Sequence, residues 1–119
     1  MADFPRVADA ASAAAQARAA GSMAHLVDGA TMSSKAHAMA AIAGALSFPG
    51  YFGANLDALY DCLTDLSWLP TGEHVLIWSA PNVLATADPA AYQGIHKVLA
   101  DAATHRPTER PLTVILAAS

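Results

Sequence analysis

The sequence predicts a small single-domain α/β fold, a three-stranded parallel β-sheet packed by helices, and three observations carry that expectation. The runs 74–78 (His-Val-Leu-Ile-Trp) and 112–116 (Leu-Thr-Val-Ile-Leu) are near-continuous apolar stretches rather than alternating ones, as in strands covered on both faces. Each pair of strand-like runs is separated by enough helical sequence for the crossover that parallel pairing requires. The chain has 119 residues, 55% of them hydrophobic, with a mean hydropathy of +0.33, which supplies one core and leaves no room for two.

Residues 1–22 are rich in alanine, with Pro5 early and Gly21-Ser22 as a stop, so they read as a helical N-terminal extension to a domain spanning 23–119. Without large apolar side chains this helix can bury little area, and it is expected at the periphery rather than in the core. The run 24–28, closed by Asp28-Gly29, reads as a strand and turn. Over 34–46, Met39, Ile42, Ala43 and Leu46 recur at helical spacing, Ser33 or Ser34 can cap the start, and Phe48-Pro49-Gly50 ends the helix. A turn with two glycines, Gly50 and Gly53, leads to Asn55, a good N-cap for a helix from 56 to about 66. After the strand at 74–78, Tyr92, Ile95, Val98, Leu99 and Ala102 mark a helix that begins near Asp88-Pro89 and ends before Pro107. The order is strand, two helices, strand, helix, strand.

Charge narrows the functional classes. Ten acidic residues outnumber six basic ones, for a net charge of −4, and only 13% of residues are charged. Arg6, Arg18, Lys35, Lys97, Arg106 and Arg110 are the only cations, so positions 36–96 hold none while carrying Asp57, Asp61, Asp65, Glu73 and Asp88. Such a chain is poorly equipped to grip a nucleic-acid backbone. The lone cysteine, Cys62, allows no internal disulfide and no thiolate cluster, which suits a reducing cytoplasm. No apolar run approaches the 18 or so residues of a membrane span, and the N-terminus lacks the apolar core of a signal peptide, so a cytoplasmic protein without membrane contact is expected. No metal or other cofactor is expected either. His25, His37, His74, His96 and His105 form no paired ligand spacing, and Gly50 and Gly53 follow a helix without the lysine of a phosphate loop.

The helix at 56–66 concentrates the acidity. Leu56, Leu59, Cys62, Leu63 and Leu66 gather on one side, Asp57, Asp61 and Asp65 on another, and Tyr60 lies at the boundary. Spaced by four, the aspartates form a ladder of like charges with no Lys or Arg three or four residues away, which costs a few tenths of a kcal/mol per pair. The helix dipole offsets this for Asp57 alone. A solvated helix face explains the pattern blandly; a surface for a cationic partner explains why the anions stay uncompensated beside an aromatic. Catalysis fits less well. Acid–base pairs flank a cleft from separate elements, whereas these carboxylates share one helix face, and Cys62 falls on the apolar side with no histidine placed to activate it.

The stretch Phe48-Pro49-Gly50-Tyr51-Phe52-Gly53-Ala54-Asn55-Leu56-Asp57-Ala58-Leu59-Tyr60-Asp61-Cys62-Leu63-Thr64 resembles the signature of the barstar family, intracellular inhibitors of barnase-type ribonucleases. The resemblance extends more loosely over 24–116 and leaves residues 1–22 outside. It implies a barstar-like fold with no enzymatic activity, and a helix that plugs the active site of a secreted guanyl-type ribonuclease, or of a ribonuclease toxin with a basic active site, its carboxylates standing in for RNA phosphates. By that resemblance Asp61 is the central anion, Asp57 a second charged contact, Tyr51 a ring stacking near the enzyme's catalytic histidine, Gly53 and Asn55 turn and backbone contacts, and Tyr60 the interfacial aromatic. Asp65 extends the anion ladder, and Asp101 is the nearest match to an acidic residue lent by the family's last helix. The chain departs from the pattern at Ala54, where an acid is usual, at Tyr60 in place of tryptophan, and at Asp65-Leu66-Ser67-Trp68 in place of Gly-Trp. These departures point to a different cognate enzyme. The alternative is a barstar-fold regulatory module that binds a basic protein surface other than a nuclease.

Overall fold

The computed structural model describes residues 4–50, 52–105 and 107–119. In chain order the elements are β1 (Arg6–Val7), α1 (Ala10–Ala19), β2 (Met23–Asp28), α2 (Lys35–Ala45), α3 (Leu56–Asp65), β3 (His74–Ser79), α4 (Asn82–Ala87), α5 (Pro89–Ala103) and β4 (Leu112–Ala117). The strands form one sheet in the order β1-β4-β3-β2, parallel at every pairing.

The sheet therefore has four strands and not the expected three. The fourth is β1, which pairs Arg6 with Leu116 and Val7 with Ala117. Two residues carry no periodicity to read, and β4 holds them through its own backbone: the Leu116 N–H donates to the Pro5 carbonyl and the Ala118 N–H to the Val7 carbonyl, each at 3.0 Å. A second element absent from the sequence reading is α4, a short helix whose Leu84 is fully buried.

Strand alternation divides the core into two layers. On one face Leu76, Trp78, Leu112, Val114 and Leu116 pack with Met39 and Ile42 of α2, Leu59 and Leu63 of α3, and Ile95 and Leu99 of α5. On the other, Val75, Ile77 and Ala117 meet Ala10, Ala13 and Ala14 of α1. The alanine helix is thus seated on the sheet rather than at its margin, because small side chains let its backbone come close enough to cover two large strand residues. Asp9 starts it, accepting from the Ser12 N–H at 2.9 Å.

Caps place the remaining helices as their sequences suggest. Ser34 Oγ accepts from the His37 N–H at 3.1 Å, Asn55 Oδ1 from the Ala58 N–H at 2.8 Å, and Asp88 Oδ1 from the Ala91 N–H at 3.1 Å. The turn between α2 and α3 rests on aromatic edges, with Phe48 4.9 Å from Phe52 and 5.8 Å from Trp68 between ring centroids. Side chains also hold the connector from α3 to β3. The Trp68 indole donates to the Leu46 carbonyl at 2.9 Å and Arg110 Nε to the Leu69 carbonyl at 2.7 Å. No helix among the described residues is long and apolar enough to cross a membrane.

Candidate protein-binding face

Helix α3 is the most strongly two-sided element on the helical face of the sheet. Leu59, Cys62 and Leu63 are buried, while Asp57, Tyr60, Asp61 and Asp65 are exposed. Leu66, fully buried, ends the helix in the left-handed conformation at φ 53°, its N–H donating to the Cys62 carbonyl at 3.1 Å. Burying the leucines turns the aspartates outward. The N-terminal end is fixed by the Asn55 cap, preceded by Gly53 and by Ala54, which adopts a positive φ of 52°. Gly53 and Asn55 are exposed beside the first turn, next to Asp57. Tyr51 lies outside the described residues.

Among the described residues no Lys or Arg forms an ion pair with Asp57, Asp61 or Asp65. Asp65 accepts from the Ser67 hydroxyl at 3.1 Å, and the Thr64 hydroxyl donates to the Tyr60 carbonyl at 2.9 Å, so local bonds tie down the last turn without neutralising it. Among the described residues, Tyr60 is one of two large hydrophobic side chains left exposed, at 36%. Cys62, only 5% exposed, faces inward; burial first, then the charges of Asp65 and Asp61, push its thiol above the ordinary cysteine range, which keeps it protonated and unreactive.

Helix α5 flanks α3 where Gly94 meets Leu56: a Cβ at Gly94 would stand 3.1 Å from Leu56 Cδ1. Asp101 lies seven residues on, about two turns along the same side of α5. Its carboxylate is exposed and bonded to Lys97 Nζ at 2.9 Å, one turn earlier on the same helix. A shallow pocket of about 220 Å³ at the other end of the contact is lined by Lys35, Leu56, Asp88, Ala90 and Ala91. Lys35 and Lys97 bound the cation-free stretch in sequence; in the fold Lys35 comes beside Leu56 at the start of α3, and Lys97 stays on α5, paired with Asp101. Lys97 was legible from its spacing of four to Asp101. The approach of Lys35 to the start of α3 was not, because it depends on how two helices pack.

The fold and this face define a class, a small parallel α/β domain that carries an anionic helix on its surface. The sequence matches the family model described as Barstar (barnase inhibitor) over residues 22–117, and the chain belongs to the Barstar family. The family's description is that of an inhibitor rather than an enzyme. No match to a curated protein was found.

Proposed function

We propose that this chain is an intracellular inhibitor that binds a barnase-type ribonuclease and covers its active site with α3, the carboxylates of Asp57, Asp61 and Asp65 taking the place of RNA phosphates. The observation that carries the reading is the exposed, unpaired anion ladder beside Tyr60 on the helix that holds the family signature. A ribonuclease that holds RNA must present cations at its active site, and three carboxylates about 6 Å apart along one helix complement such a surface. Asp61, in the middle of α3, is the central contact, and Asp57 is the second. Tyr51, Gly53 and Asn55 meet the enzyme from the preceding turn, Tyr60 supplies the aromatic, and Asp101 adds a carboxylate from α5. Binding uses no cofactor.

Inhibition of a panel of barnase-type ribonucleases by the purified protein tests this reading directly. Asp61→Ala is expected to weaken inhibition by the roughly 2–5 kcal/mol typical of truncating one member of a desolvated charge pair. Its folding stability should hold or rise by a few tenths of a kcal/mol, because a like charge leaves the ladder. Undiminished inhibition by a variant that unfolds earlier would make Asp61 a structural residue and end the proposal. No inhibition of barnase or of related ribonucleases by the unsubstituted protein would favour a regulatory module with another basic partner.

A further inference from the structure

We propose that His25 and His74 form an acid-opened staple, a direct imidazole-to-imidazole bridge that ties the edge strand β2 to β3 and to the connector behind α3, and that is released as protons are added. His74, the first residue of β3, is fully buried, and His25 is half-buried on β2. Their rings stack with centroids 5.1 Å apart, and His25 Nε2 lies 2.9 Å from His74 Nδ1. The far side of the His74 ring is also committed, since its Nε2 lies 2.8 Å from the Pro70 carbonyl.

These two contacts assign the protons. A carbonyl can only accept, so His74 carries its hydrogen on Nε2 and offers a bare Nδ1. His25 must therefore donate from Nε2, and its Nδ1 is the one ring nitrogen left to take a proton without breaking the bridge. While His25 keeps its Nε2 hydrogen, a second proton on His74 Nδ1 would set two N–H groups head to head at 2.9 Å. The folded pair accommodates one added proton and the unfolded chain two. Even the first is disfavoured: burial, then the neighbouring His74, hold His25 below the ordinary imidazole range, with the cation of Arg18 on α1 adding to this and a backbone hydrogen bond to Ala45 opposing it.

The charged groups around the pair do not relieve the conflict. Glu73, adjacent to His74, accepts from the hydroxyls of Ser22 and Thr113, each at 2.8 Å. Arg110 donates to the carbonyl of Leu69, next to Pro70, at 2.7 Å. The neighbours from α2 and β4, Ala45 beside His25 and Leu112 paired with His74, carry no charge. Below about pH 6.5 the unfolded chain thus binds more protons than the folded one, and stability falls as pH falls.

The test uses the protein alone. Imidazole nitrogen shifts in NMR spectra at pH 7.5 are expected to report His74 as the Nε2–H tautomer. An Nδ1–H neutral tautomer of His74 at that pH overturns the staple. Urea unfolding at pH 7.5 and 5.5 gives a second measure. His25→Gln keeps an amide donor for His74 Nδ1 but removes one titrating ring, so its unfolding constant should rise less over this interval than that of the unsubstituted protein, by a factor of up to about ten. Equal rises in the two proteins overturn the staple as well, and the nitrogen shifts decide the question if the variant fails to fold.

Discussion

Ala54 stands one residue before the cap of α3 in the left-handed region, at φ 52°, with a Cβ that this conformation penalises. It is exposed, so no packing compensates for the strain. Ala54→Gly should therefore raise stability by up to about 1 kcal/mol, the glycine's greater unfolded-state freedom taking back part of the relief. The expected reading is a higher urea midpoint with an unchanged slope; a lower midpoint would mean that the Ala54 methyl group is a packing contact. Legibility in sequence divides along the same local lines. Asn55 and Ser34 act as caps because the relevant bond spans three residues, and the outward turn of Asp57, Asp61 and Asp65 follows from helical period alone. The His25–His74 bridge spans 49 residues and depends on the register of two strands, which no local pattern encodes.

At the scale of elements, the strands with long apolar runs and the helices with clear periodicity fall where their sequences place them, and the discrepancies are the short helix α4 and the N-terminal end of the chain. An alanine helix has little amphipathic contrast, and a two-residue strand has no period, so neither declares which surface it meets. Their role emerges from the partner: β3 and β4 are apolar on both faces, and Val75, Ile77 and Ala117 need a cover, which α1 provides. Removal of residues 1–22 would uncover Val75 and Ile77, at roughly 1.5–3 kcal/mol for each large side chain returned to water. Against a typical total of about 5–15 kcal/mol, the truncated chain should unfold at markedly lower urea and show exposed apolar surface by dye binding. An unchanged midpoint would make α1 an ornament on a domain that is complete from residue 23 onward.

For the whole molecule, a net charge of −4 understates the field at α3. Three of the ten acidic residues, Asp57, Asp61 and Asp65, sit together on α3, while Lys97 pairs with Asp101 on α5 and Lys35 borders Leu56. A partner with a basic active site would feel an oriented attraction from beyond contact distance, and that attraction is screened over about 10 Å at 0.1 M salt. If the proposed inhibition is correct, stopped-flow mixing with the ribonuclease it inhibits should show an association rate that falls tenfold or more as salt rises from about 25 mM to 0.5 M, with a much smaller change in dissociation. Asp57→Asn and Asp65→Asn together should flatten that dependence by weakening the field, and Lys35→Ala or Lys97→Ala should raise the rate by removing an opposing charge from its border. A rate insensitive to salt, at undiminished affinity, would mean that Tyr60 and the apolar rim of the helix drive association and that the carboxylates act only after contact.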